Sequence, residues 1–106
     1  MFTFSVHCEK NFPLRKQRSD LDIGLALHTT DAPYMAALRE HLAALLDLFR
    51  PDLVLYDAGV DPHVNDSLGK LDLSDRGGCA DVAPVSHDCT YRVTCRGYGI
   101  SVEIDF

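Results

Sequence analysis

The stretch from Thr30 to Tyr56 leaves this chain the fewest folds to choose from, because a helical period stops there at a proline and gives way at once to a strand pattern. Met35, Leu38, Leu42, Leu45 and Phe49 recur at steps of three and four, one apolar stripe along a helix, with Arg39, Glu40 and Asp47 off it. Thr30 or Asp31 suits the N-cap, Pro33 is tolerated in the first turn where its missing N–H has no partner to lose, and Pro51 ends the helix. Leu53-Val54-Leu55-Tyr56 follows as a short continuous apolar run, the pattern of a parallel strand covered on both faces. Upstream, Ile23, Leu25 and Leu27 alternate with Asp22, Gly24 and Ala26, so Leu21–Leu27 reads as another strand. Strand, helix, strand is a βαβ unit. Its right-handed crossover sets both carboxyl ends on one edge of a parallel sheet, the edge at which such folds bind ligands.

The rest of the chain is less regular. Met1–His7 mixes aromatic and β-branched residues without a helical period and reads as a strand, while Glu9–Ser19, with Asn11, Pro13 and several charges, reads as a loop. Beyond Arg76-Gly77-Gly78 no helical period lasts more than a turn, and Tyr91–Cys95 with Ile100–Ile104 suggests a hairpin across Arg96-Gly97-Tyr98-Gly99. With 106 residues, the chain has room for one small domain.

Charge and cysteine content narrow the function. A net charge of -6 argues against direct nucleic-acid binding, which relies on Lys and Arg displacing counterions from phosphates. The one basic cluster, Arg15-Lys16-Gln17-Arg18, is followed by Asp20 and Asp22 and reads as a solvated loop. No apolar run approaches the roughly 20 residues that span a bilayer, and no basic, apolar leader follows Met1, so no membrane partner is expected. Cys8, Cys79, Cys89 and Cys95 are expected to be reduced thiols, which suits nucleus or cytoplasm alike; Cys79, His87, Cys89 and Cys95 lack the close pairs of a structural zinc site.

The candidate chemistry follows the Leu53–Tyr56 strand. Asp61, His63 and Asp66 lie close together after Gly59, and carboxylate and imidazole are both competent zinc ligands. Spacing alone also fits an ordinary turn, because Asp and Pro initiate bends. The wider string Pro51-Asp52-Leu53-Val54-Leu55-Tyr56-Asp57-Ala58-Gly59-Val60-Asp61-Pro62-His63, continuing to Leu68-Gly69-Lys70-Leu71, closely resembles the histone deacetylase superfamily. A second stretch agrees in the same order: Phe2-Thr3-Phe4-Ser5-Val6-His7, Glu9-Lys10-Asn11-Phe12-Pro13 and Arg18-Ser19-Asp20-Leu21-Asp22-Ile23 look like its bacterial and class IV-like branch.

The resemblance implies an α/β fold, a fragment of a three-layer α/β/α parallel-sheet, arginase-like deacetylase domain over residues 1–76, with 77–106 a divergent tail. It implies zinc as cofactor with Asp61 as one ligand, Ser5 and the Val6 carbonyl at a structural monovalent-cation site such as potassium, and Phe12 as an aromatic wall of the acyl-lysine tunnel. His7 matches no ligand and is expected to be a core or loop histidine. Implied substrates are acetylated lysine, on a histone or another protein, or an acetylated polyamine. In the family an Asp-x-His turn and a His-His pair precede the strand that aligns with residue 1, and the domain is several times longer. The chain alone is therefore expected to be inactive, and marginally folded because the Leu53–Asp57 and Met1–His7 strands would lack neighbours and expose edges; the alternative is a noncatalytic remnant acting as a small binding module.

Overall fold

In the computed structural model, residues 1–56, 59 and 61–75 are described in full, together with the backbone of 57, 90–94 and 100–105. The elements run β1 (Phe2–Cys8), β2 (Leu21–Leu25), α1 (Asp31–Phe49), β3 (Leu53–Asp57), β4 (Thr90–Thr94) and β5 (Ile100–Asp105). The first four follow the sequence pattern, so the fold is a small α/β unit. β2 stops two residues short of Leu27, because the Thr29 N–H and hydroxyl both donate to the Ala26 carbonyl and close a turn there.

Helix α1 begins after Thr30, whose extended backbone makes it the N-cap although its hydroxyl makes no capping bond. Tyr34, Leu38, Leu42 and Leu45 form its buried stripe, with Met35, Leu46 and Phe49 packed beside them. The face is thus rotated slightly from the expected one, and Tyr34, fully buried, takes the place foreseen for Met35. Burial raises the Tyr34 hydroxyl well above the usual tyrosine range, with Tyr56 adding to the effect. At the other end Arg50 adopts a left-handed conformation (φ 44°), its N–H bonds to the Leu46 carbonyl, and Pro51 prevents another turn.

The sheet has the order β2-β1-β5-β3-β4. β2, β1, β3 and β4 run the same way; β5 runs against them between β1 and β3, with Phe4 and Tyr56 both opposite Val102. Two expectations fail here. The hairpin is not formed, because β5 pairs with β1 and β3 while β4 pairs with the far side of β3, so the last two strands never meet. For the same reason β1 and β3 do not lack neighbours: both are interior strands, and the edges fall to β2 and β4. The sheet is mixed rather than all parallel.

Along β1 burial alternates, turning Phe4, Val6 and Cys8 toward α1 and leaving Thr3, Ser5 and His7 half-buried on the opposite face. In β3, Val54 and Tyr56 join the core, whereas Leu53 and Leu55 stay half-buried. The described elements thus make two layers, helix on sheet, and β3 is not covered on both faces as its apolar run suggested. Among the described residues no helix is long and apolar enough to cross a membrane.

Candidate functional site

With β1, β2 and β3 parallel, their carboxyl ends share one edge, and the segments that follow β1 and β3 build a cleft there. The cleft is lined among others by Val6, His7, Phe12, Lys16, Asp61 and Lys70. Three residues singled out from the sequence, Val6, Phe12 and Asp61, therefore meet although they come from separate loops and strands. Asp61 is 8% exposed, the one buried acidic residue among those described. A carboxylate is costly to bury, and this one lies at the wall of the cleft.

The loop after β3 is held on two sides. Within it, Asp66 Oδ1 accepts hydrogen bonds from the N–H groups of Leu68 (2.8 Å) and Gly69 (2.9 Å). Those bonds, Gly69 first, hold its carboxyl below the ordinary value of 3.8. Beyond it, residues 70–74 run as a strap between two loops. On one side the Leu73 N–H donates to the Pro62 carbonyl (3.0 Å) and the Val64 N–H to the Leu73 carbonyl (2.8 Å). On the other side the His28 N–H donates to the Lys70 carbonyl (2.8 Å) and the Asp72 N–H to the Thr29 carbonyl (3.0 Å), with Asp72 also 3.2 Å from His28 Nδ1. Ser74 donates through N–H and hydroxyl to Asp31 in the first turn of α1. Leu71 and Leu73 plug the strap into the core at 4% and 0% exposure.

The wall opposite comes from the loop between β1 and β2. Phe12 precedes a cis peptide bond to Pro13 and is 74% exposed; Leu14 is 85% exposed. Lys16 departs from the solvated-loop reading of its basic cluster. It is half-buried, and Nζ donates to the carbonyls of Asn11 (2.7 Å) and Pro13 (3.1 Å), because the curled loop leaves those acceptors without strand partners. Asp20 ties the loop's far end back to β1, accepting from the N–H and hydroxyl of Thr3.

The sequence cluster of Asp61, His63 and Asp66 does not converge. His63 accepts the Asn65 N–H at Nδ1, which places its own proton on Nε2, and that nitrogen donates to Asp75 at 3.0 Å. Asp66 is engaged by its turn. Among the described residues no group of three His, Cys, Asp or Glu side chains is arranged to hold a metal. Of the two residues matched to a monovalent-cation site, Val6 lines the cleft, whereas the hydroxyl of Ser5, on the opposite face of β1, lies 2.9 Å from His7 Nδ1. His7 itself lines the cleft, and burial, then the charge of Lys16, lowers its pKa. Sequence reading missed His7, Lys16 and Lys70 as cleft residues; for His7 the signal was its place at the carboxyl end of a strand. Cys8 is a buried free thiol, and Cys79, His87, Cys89 and Cys95 lie outside the described residues.

A parallel-strand edge at which Asp61 and Phe12 line one cleft defines the class: a small α/β unit with a candidate site at the carboxyl ends of its strands. The sequence profile of the histone deacetylase domain matches residues 1–92, and the chain belongs to that family. It is 57% identical over 77 residues to an uncharacterized protein of Picosynechococcus sp., covering 73% of this chain and 26% of that protein. It is 38% identical over 55 residues to an uncharacterized protein of Methanocaldococcus jannaschii, covering 52% of this chain and 16% of that one. The chain thus spans about a quarter or less of the length of these relatives.

Proposed function

We propose that the chain carries one wall of a zinc-dependent deacetylase site that hydrolyses acetyl-lysine, on a histone or another protein, or an acetylated polyamine. The observation that carries this reading is the meeting of Asp61, Val6 and Phe12 around one cleft. Asp61 is assigned as an anionic zinc ligand, Phe12 as an apolar wall for the methylene stem, and Ser5 with the Val6 carbonyl as a potassium site. Acetylation removes the charge that would make a lysine stem costly to bury.

A catalytic zinc needs three protein ligands, and among the described residues the cleft offers one carboxylate, so these residues do not hold the metal by themselves. Bound by a full ligand set, zinc polarises an amide carbonyl and lowers the pKa of a water. What the described residues contribute is a fixed carboxylate and an apolar approach. The shortfall in ligands also favours a second reading, a noncatalytic remnant that binds a partner.

A chimera separates the two. The 77 residues of this chain that match the Picosynechococcus relative replace their counterparts in it, with the parent protein as control. The deacetylase reading expects retained zinc and release of acetate from acetyl-lysine peptides or acetylated polyamines, both lost on D61A. A folded chimera without zinc or turnover, beside an active parent, leaves the noncatalytic reading.

A further inference from the structure

The loop from Asp61 to Gly69 spends its polar groups in an unusual place. Leu68 is 66% exposed and Val64 is 53% exposed, so the tip of this loop adds little to the core. Yet Asp66 clamps two consecutive amides with one oxygen, and its own N–H donates to the His63 carbonyl at 2.9 Å. The second clamped residue, Gly69, is pressed onto the main chain of Asp61. A Cβ built on Gly69 would stand 1.5 Å from the Asp61 carbonyl oxygen and 2.6 Å from its carbon, closer than any side chain tolerates. Glycine is required here by close approach of two backbones.

We infer that Asp66 is a positioning residue for Asp61: through the Leu68–Gly69 turn it holds the glycine against the Asp61 carbonyl and so fixes the main chain from which the cleft-facing carboxylate extends. The inference rests on the reading that the Asp61 carboxylate is the working group of the cleft. Hydrogen bonds at a solvent-facing turn add little net stability because water competes for the same groups, whereas Leu71 and Leu73, buried in the strap, carry the loop's apolar packing. Geometry at Asp61 and stability of the loop are thus supplied by different residues.

The test uses isotope-labelled 106-residue chain and the variants D66A, D66N and G69A. The Asp61 amide and side-chain carboxyl carbon report the site, and the Leu71 and Leu73 methyl groups report the core. D66A and G69A are expected to displace the Asp61 resonances while the leucine methyls keep their positions. D66N, which retains an acceptor oxygen, is expected to return Asp61 most of the way to wild type. Unmoved Asp61 resonances in D66A, beside displaced Leu68 and Gly69 amides, overturn the proposal, as does a D66N spectrum that matches D66A. If D66A and G69A do not fold, D66N decides: Gly69 and Asp61 moving together supports the coupling, and Gly69 moving alone overturns it. A chimera without zinc or turnover whose Asp61 still follows Asp66 removes the functional reading and keeps this coupling; an active chimera without the coupling removes only the latter.

Discussion

The two loops that form the cleft are built in opposite ways. The loop and strap of 61–75 bond backbone to backbone on both sides and bury two leucines, while the loop of 9–20 exposes its large apolar residues and is held largely by side chains, above all the Lys16 amine. The difference fits the roles proposed for the two walls. A carboxylate that is to hold an ion must keep one direction, because preorganisation is what makes such a group effective. An aromatic wall that admits a flexible alkyl stem works with looser placement.

Substitutions can break or sharpen that contrast. The largest effect is expected for L73A, which empties a fully buried site and should cost about 2–5 kcal/mol in urea or thermal unfolding. L14A, its counterpart on the open loop, should stay within about 0.5 kcal/mol, and equal losses at the two sites would end the comparison. G69A should come next, about 1–3 kcal/mol, because the Asp61 carbonyl must move to admit the methyl group. K16M should cost about 1 kcal/mol, below the usual value for charged hydrogen bonds because Lys16 is only half-buried, with faster amide exchange confined to residues 9–19. F12A should leave stability within about 0.5 kcal/mol and, in the chimera, raise KM for acetyl-lysine peptides.

Acid gives the smallest effect and a clear sign. Asp66 titrates lower in the folded chain than in the unfolded one, so its contribution is present above 3.8 and is lost as pH falls through the lower folded value. Amide exchange at Leu68 and Gly69 should accelerate there before that at Leu73. Simultaneous release of all three amides would show that the inner turn and the strap are one unit.

Much of this was legible in the chain. The stripe from Leu38 to Leu45 and the run from Leu53 to Tyr56 determine local structure through periodicity, so α1, β3 and the shared carboxyl edge could be read directly. Asp61, Val6 and Phe12 were singled out through the family's motif, and all three line one cleft. The place of β5 was not, because Phe2 pairs with Ile104 and Leu53 with Asp105, and no local pattern encodes partners so far apart. The role of Lys16 was hidden for a related reason: its partners are carbonyls, present at every residue and silent in sequence. Asp66 stood among the candidate ligands and Gly69 in the motif without a task, and neither showed the close approach of Gly69 to the Asp61 main chain.

The antiparallel strand between β1 and β3 also sets the order of assembly. β1, β2 and α1 are neighbours in sequence and can pack while the chain is being made, whereas the gap between β1 and β3 is filled only when residues 100–105 leave the ribosome. Joining Phe2 to Ile104 closes a loop of nearly the whole chain, and each doubling of loop length adds only about 0.6 kcal/mol of closure entropy. The burden is therefore one of rate more than of stability, since non-local pairing slows folding. Until that last strand arrives, β1 and β3 present open edges to any other nascent chain nearby.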